Sequence, residues 1–257
     1  MAQGGERRSG DNSYAELAEL AGGFIHEIKN HLSTLGLNFQ LLAEDFAEPQ
    51  TQRERRALER ILRIQGEVQR LLDVSNDFLR FARVVELSLQ PGNLASVVEE
   101  MIDFFAPTAR QANIEIKHYL PADLPLVPMD RDMLKQALLN LMLNAEQAMP
   151  EGGQLTIQAL PEPGHVVLSL IDTGKGMAPE VLAKVFRPFF STKPGGTGLG
   201  MPTTKKIILA HGGSIDVQSE MGRGTKFTIR LPAPEATLPA ASKPPIDSQP
   251  PSKQPAH

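Results

Sequence analysis

The 257-residue sequence contains no cysteine. That absence excludes disulfide bridges, thiolate zinc centres and thiol nucleophiles, and it suits a reducing compartment. Long apolar runs are missing as well. Stretches such as Val166–Ile171 fall far short of the ~20 residues that a membrane span needs. The opening Met-Ala-Gln-Gly-Gly-Glu-Arg-Arg-Ser-Gly lacks the apolar centre of a signal peptide. Charge of one dominant sign is absent too: a formal net charge of −4 points neither to nucleic acid nor to an anionic membrane surface. A cytoplasmic protein with no membrane span and no nucleic-acid partner is the expectation.

What is present falls into two patterns. Residues 1–13 are polar and Gly-rich, and disorder is expected there. From Tyr14 onward Leu17, Leu20 or Ala21, Phe24, Ile28, Leu32, Leu35, Phe39, Leu42 and Phe46 recur in steps of three and four, a helical seam of coiled-coil type. Two successive steps of four, Phe24 to Ile28 to Leu32, interrupt the heptad as a stutter does. Ala47-Glu48-Pro49-Gln50 reads as a loop, with Pro49 ending the helix. A second seam follows at Leu58, Ile61, Gln65, Val68, Leu72, Ser75, Leu79 and Ala82. Residues 14–88 therefore form a helical hairpin. A lone hairpin cannot bury both stripes, so the expectation is a homodimer closed as a four-helix bundle. The alternative is packing of the hairpin on its own C-terminal domain.

The break at Gln90-Pro91-Gly92-Asn93 marks the start of a second unit, residues 89–232. Helices are expected over Leu94–Arg110, from an Asp130 N-cap to Ala148, and over Pro202–Ala210. Strands are expected at Ile114–Leu120, Gln154–Ala159, Val166–Asp172, Ser214–Ser219 and Thr225–Arg230. The fold class is thus α+β, a helical hairpin followed by an α/β sandwich with one layer of helices on a mixed sheet. From Pro232 the chain carries eight prolines, so residues 233–257 read as an unstructured tail.

Four stretches of the second unit carry chemistry. Asn140 and Asn144 stand one turn apart among leucines, and their carbonyl oxygens suit Mg²⁺ as well as they suit a solvated helix edge. Asp172 ends a strand and leads into Gly174 and Gly176, where an acid can accept from an exocyclic amine and glycines admit a flat ligand. Phe186, Phe189 and Phe190 can pin a loop that ends in Lys193, a cation suited to phosphate. Gly196-Thr197-Gly198-Leu199-Gly200 then runs into a helix, exposing backbone N–H groups to phosphate oxygens. The Gly-Lys-Ser/Thr ending of a Walker A loop is missing.

In this order the four resemble the N, G1, F and G2 boxes of the sensor histidine kinases of two-component signalling, which share the Bergerat ATP-binding fold with gyrase, MutL and heat-shock chaperones. The resemblance spans residues 14–232. It implies ATP and Mg²⁺ as cofactors: Asn140 and Asn144 on the metal, Asp172 on adenine, Gly174 and Gly176 at the G1 turn. Gly196, Gly198 and Gly200, with Thr197 and Leu199 between them, would form the lid; Lys193 is expected, apart from the resemblance, to supply the charge that Gln147 lacks. His26-Glu27-Ile28-Lys29-Asn30 is similar to the family's H box. A neutral imidazole is nucleophilic near pH 7. By the resemblance His26 takes the γ-phosphoryl group, Glu27 holds the proton of the other ring nitrogen, and Asn30 positions water for dephosphorylation. The implied partner is a response-regulator receiver domain, docking near Thr34, Leu37 and Asn38. The arginines at Arg53, Arg55, Arg56 and Arg60 fit either that surface or a solvated helix face.

A zinc reading of His26, Glu27 and His31 fails, since five residues at ~100° each put the two rings about 140° apart. Two departures from the family stand out: His31 replaces a proline that kinks the helix, and Gln147 replaces a lysine, as in the nitrogen-sensor-like subgroup. No sensor module precedes Tyr14, so either the input comes from a partner protein or the chain is a piece of a longer one. Another Bergerat-type ATPase or serine kinase, and a non-catalytic or phosphatase-biased scaffold, remain as alternatives.

Overall fold

A computed structural model describes residues 6–83, 87–193 and 195–233. Helix α1 (Glu6–Asp45) and helix α2 (Gln52–Arg83) run antiparallel as the hairpin. The expectation of disorder over residues 1–13 is corrected in part. Residues 1–5 lie outside the described residues, but α1 begins at Glu6. The reason is cooperative: once a long helix is nucleated, extending it through residues such as Glu6, Arg7 and Arg8 adds one bond per residue fixed.

A capping box starts α2. The Thr51 hydroxyl accepts from the Glu54 N–H, and the Glu54 carboxylate accepts from the N–H groups of Thr51 and Gln50. Those backbone donors hold the Glu54 pKa below the ordinary carboxylate value. Between the helices, Ile61, Val68, Ser75 and Ala82 of α2 are buried, as their seam requires. A Cβ on Gly36 would lie 3.5 Å from a methyl of Val68, which fixes the register of the pair. Leu35 and Leu42 of the first seam, by contrast, are exposed, as are Ile64, Leu71 and Val74 of α2. One stripe of each helix therefore meets its partner helix, and a second stripe faces outward.

The second unit begins with a two-stranded ladder, β1 (Gln90–Gly92) against β3 (Val127–Met129), so the Gln90-Pro91-Gly92 stretch that breaks the helical pattern is itself a short strand. Helix α3 (Leu94–Gln111) is capped by the Asn93 side chain, and α4 (Arg131–Ala148) by Asp130. Strands β2 (Ile114–Tyr119), β4 (Gly153–Glu162), β5 (His165–Asp172), β6 (Ser214–Glu220) and β7 (Gly224–Pro232) form one sheet in the order β2-β4-β5-β7-β6. Only the β2–β4 pair is parallel, so the sheet is mixed. The remaining helices are α5 (Pro179–Leu182) and α6 (Gly200–Ala210). Along β4 and β7 buried residues alternate with more exposed ones, and α3, α4 and α6 contribute to the same apolar core as the strands.

One buried polar link fastens this layer. His211 donates from Nδ1 to the Ile207 carbonyl at 2.8 Å and accepts the Asp130 N–H on Nε2 at 3.0 Å. The last turn of α6 and the cap of α4 are thereby held together, which sets the spacing of the two helices that frame the site.

Candidate functional site

A cavity of about 550 Å³ opens between α4, the turn after β5, the glycine-rich loop and α6. Asn140, Asn144 and Gln147 line it from α4. The Asn140 amide donates to the Gly200 carbonyl at 3.1 Å and to the Thr204 hydroxyl at 3.3 Å, tying α4 to the start of α6. The Asn144 carbonyl oxygen accepts from the Lys193 ammonium at 2.6 Å, and Gln147 accepts from the same ammonium. Lys193 thus stands over the position where the sequence has glutamine instead of lysine. Burial, and then the charge of Lys175, lower its pKa, while Glu146 opposes them.

Asp172 closes the far wall. Its carboxylate is buried at the end of β5, and Oδ1 accepts the N–H of Gly174 at 2.9 Å and of Thr225 at 3.2 Å. Burial pushes this carboxyl up in pKa, and the two donors only partly offset that. Gly176 has φ +66°, and a Cβ there would lie 2.0 Å from the Glu220 carbonyl oxygen. No other residue fits that turn.

The loop before α6 carries the other special backbone. Gly198 has φ +68°, and its Cβ would fall 2.5 Å from the Phe189 backbone. The Phe189 N–H donates to the Gly198 carbonyl, so the two loop arms are zipped together. Phe189 itself takes a positive φ of 61° and is 62% exposed. Its ring therefore does not pin the loop; Phe190 lines the cavity instead. Whereas α3 and α4 have side-chain caps, α6 has none. Its first N–H groups border the cavity at Gly200, an arrangement suited to phosphate oxygens.

Most of the expected residues meet in this one cavity: Asn140, Asn144, Asp172, Gly176 and Lys193 line it, with Gly196, Thr197, Gly198 and Gly200. Two expected residues do not. Leu199 is fully buried beneath the loop, since its apolar side chain packs inward. A Cβ on Gly174 would meet the Ala148 carbonyl at 2.6 Å, so that glycine serves close packing of the turn on α4. Among the described residues no cluster of three or more His, Asp or Glu could hold a metal ion. Any divalent cation here would rest on amide oxygens and on a ligand's own phosphates.

On the hairpin, His26, Glu27 and Asn30 all lie within α1. The side chain of His26 falls outside the described residues, while Glu27 and Asn30 are exposed. Sequence reasoning missed two contacts that tie the hairpin to the cavity. Asp77 of α2 lines the cavity and accepts the Thr197 hydroxyl at 2.7 Å. Lys206 of α6 donates to the Phe81 carbonyl at 2.9 Å and lies over the Phe81 ring at 4.9 Å. No local motif signals either one, because each reads in sequence as an ordinary charge on a helix.

Residues 129–235 match the family described as histidine kinase-, DNA gyrase B- and HSP90-like ATPase. Sensor histidine kinase ZraS of Salmonella typhi is 36% identical over 218 residues, covering 84% of this chain and 46% of that protein. The chain thus spans about half the length of the curated relatives it matches. The catalytic domain of histidine kinase ThkA superposes with a TM-score of 0.53 at 32% identity, covering 58% of this chain and 97% of that one. Full-length ShkA in complex with AMPPNP gives a TM-score of 0.60 at 29% identity, over 81% of this chain and 46% of that one.

Proposed function

The chain belongs to the sensor histidine kinases, whose catalytic core it matches, and from that premise we propose that it is an ATP-dependent protein-histidine kinase. One observation carries the reading: the cavity that gathers Asn144, Asp172 and the glycine loop also touches α2, the helix packed against the one that bears His26. A nucleotide-sized site and a candidate acceptor thus belong to one continuous assembly. The Asp172 carboxylate accepts from the adenine amine, and the loop N–H groups with Lys193 receive the phosphates.

In the transfer, a neutral His26 ring nitrogen forms a bond to the γ-phosphorus while the bond from that phosphorus to the bridging oxygen of ADP breaks. Glu27 holds the proton on the second ring nitrogen, and positioning with charge neutralisation supplies most of the catalysis. The Asn144 side-chain oxygen already accepts a cation in the form of Lys193, so the donor chemistry fits Mg²⁺. Asn144, with Asn140, would hold it, and the ion when bound would neutralise phosphate charge. From His26 the phosphoryl group passes to an aspartate of a receiver domain, and Asn30 positions water for the opposing activity, hydrolysis of that aspartyl phosphate to free carboxylate and inorganic phosphate. The outward stripe of Leu35, Leu42, Ile64, Leu71 and Val74 fits a second copy of the hairpin, giving a homodimer.

Incubation with γ-labelled ATP and Mg²⁺ tests the reading. Acid-labile, alkali-stable label that disappears in His26→Gln supports it. Acid-stable label, or label that survives the substitution, replaces it with another kinase or ATPase chemistry.

A further inference from the structure

Four facts about the contact between hairpin and cavity converge on one side chain. First, among the described residues Asp77 is the one residue of the hairpin that lines the cavity. Second, it accepts the hydroxyl of Thr197, which sits between Gly196 and Gly198, while Thr197 Oγ1 in turn accepts the Leu199 N–H at 3.3 Å. The loop is therefore held at its tip by α2 and at its base by the Asn140 amide on Gly200. Third, Phe81 follows Asp77 by one helical turn, so the Lys206 contacts lie on the same face of α2. Lys206 also satisfies carbonyls of Phe81 and Ala82 in the last turn of α2, where helical partners run out.

The fourth fact is axial height. Gly36 packs opposite Val68. Ten residues before Gly36 on α1 stands His26, and ten residues after Val68 on α2 stands Phe78. Antiparallel helices of equal rise bring those two to one level, with Asp77 one residue, or about 1.5 Å, away.

We propose that Asp77 is a positioning residue for phosphoryl transfer: by accepting the Thr197 hydroxyl it docks the glycine loop against the hairpin at the height of His26. The proposal rests on the kinase reading above. The carboxylate's work is orientation: it holds the loop by a hydroxyl, leaving the N–H of Gly198 and the start of α6 to the phosphates. Arg80, 3.9 Å from its Oδ1, moderates the negative charge that the phosphates would otherwise meet. Asp77 touches no reacting atom, so its loss should slow the transfer and leave nucleotide affinity in place.

The test uses the full chain and its variants Asp77→Ala, Asp77→Asn and Lys206→Met. Three quantities are read: the initial rate of acid-labile labelling at saturating ATP and Mg²⁺, the Kd of a fluorescent ADP analogue, and the melting curve by circular dichroism. In Asp77→Ala the labelling rate should fall about tenfold, the value of one charge-assisted hydrogen bond, while Kd stays within about twofold. Asp77→Asn, whose amide oxygen still accepts the Thr197 hydroxyl, should recover most of the rate. Lys206→Met should lower the rate in the same direction. An Asp77→Ala chain that labels as fast as the parent, or faster, overturns the proposal, as does a loss confined to Kd. A parent chain that forms no acid-labile label refutes the kinase reading itself, and this inference with it.

Discussion

Lys193 donates its ammonium to the side-chain carbonyl of Asn144 at 2.6 Å, spanning from the loop to α4. Gln147, one turn beyond Asn144, accepts from the same ammonium. A charge that many histidine kinases carry on the helix is here carried on the loop. The arrangement puts the loop cation on the cavity wall at the position where the proposed kinase reading places the phosphates.

Alkaline pH should reveal that role. Burial lowers the Lys193 pKa below the ordinary lysine value, and only the protonated amine attracts phosphate. Affinity for ATP is therefore full below the lowered pKa and falls as pH rises through it, earlier than for an exposed lysine. Titration of a fluorescent ATP analogue from neutral pH upward should show this limb. Lys193→Arg should move it upward, because a guanidinium stays charged throughout the range in which proteins remain folded. Lys193→Ala should remove the limb and weaken binding roughly tenfold. An unchanged profile in Lys193→Ala would assign the charge to another residue.

Asp172→Asn separates binding from stability. The carboxyl pKa is raised by burial, so the folded state binds its proton more tightly than the unfolded chain does. Its favourable contribution exists below the unfolded pKa and is lost as pH rises through the folded one; at neutral pH the buried charge is a cost. Asparagine keeps an oxygen for the Gly174 and Thr225 N–H groups. The variant should melt at or above the parent temperature yet bind ATP about 10- to 100-fold more weakly, the range for a hydrogen bond to a charged group. Equal affinity would remove Asp172 from adenine recognition.

Two loop glycines should behave differently. Both Gly195 and Gly198 take positive φ, but a Cβ on Gly195 meets nothing within 4 Å while one on Gly198 meets the Phe189 backbone at 2.5 Å. Gly195→Ala should cost only the left-handed strain of ~1 kcal/mol. Gly198→Ala adds a backbone clash, breaks the zip to Phe189 and should cost at least ~2 kcal/mol of stability or abolish nucleotide binding. Denaturant melts with nucleotide titration check the ranking, and equal effects would show that the loop is not held in this form.

The outward stripe can be tested in the full chain by sedimentation. Leu35 is 48% exposed and Leu71 is 52% exposed, a poor use of leucine unless another surface covers them. The parent should sediment as a dimer, and the pair Leu35→Lys with Leu71→Lys as a folded monomer. A parent that sediments as a monomer would refute the bundle.

Periodicity and a capping Asp130 located the hairpin helices, α3, α4, α6 and the five strands of the main sheet, because steps of three and four, alternation and caps are local signals; the short helix α5 and the β1–β3 ladder carry no such pattern. The glycine spacing and the Asn140/Asn144 pair were equally legible, since each box is a short run whose chemistry does not depend on distant partners. That the Leu199 side chain is buried was not legible in that run, because the sequence pattern does not reveal which residue of a loop turns inward. The division of the first seam into one stripe on α2 and another facing out also needed the packed hairpin, where Gly36 fixes the register on Val68. Lys193 meets Asn144 across 49 residues of sequence, and Thr197 meets Asp77 across 120. Contacts of that range depend on how a helix, a loop and a hairpin settle in space, so only the tertiary structure decided them, and with them the link between cavity and hairpin.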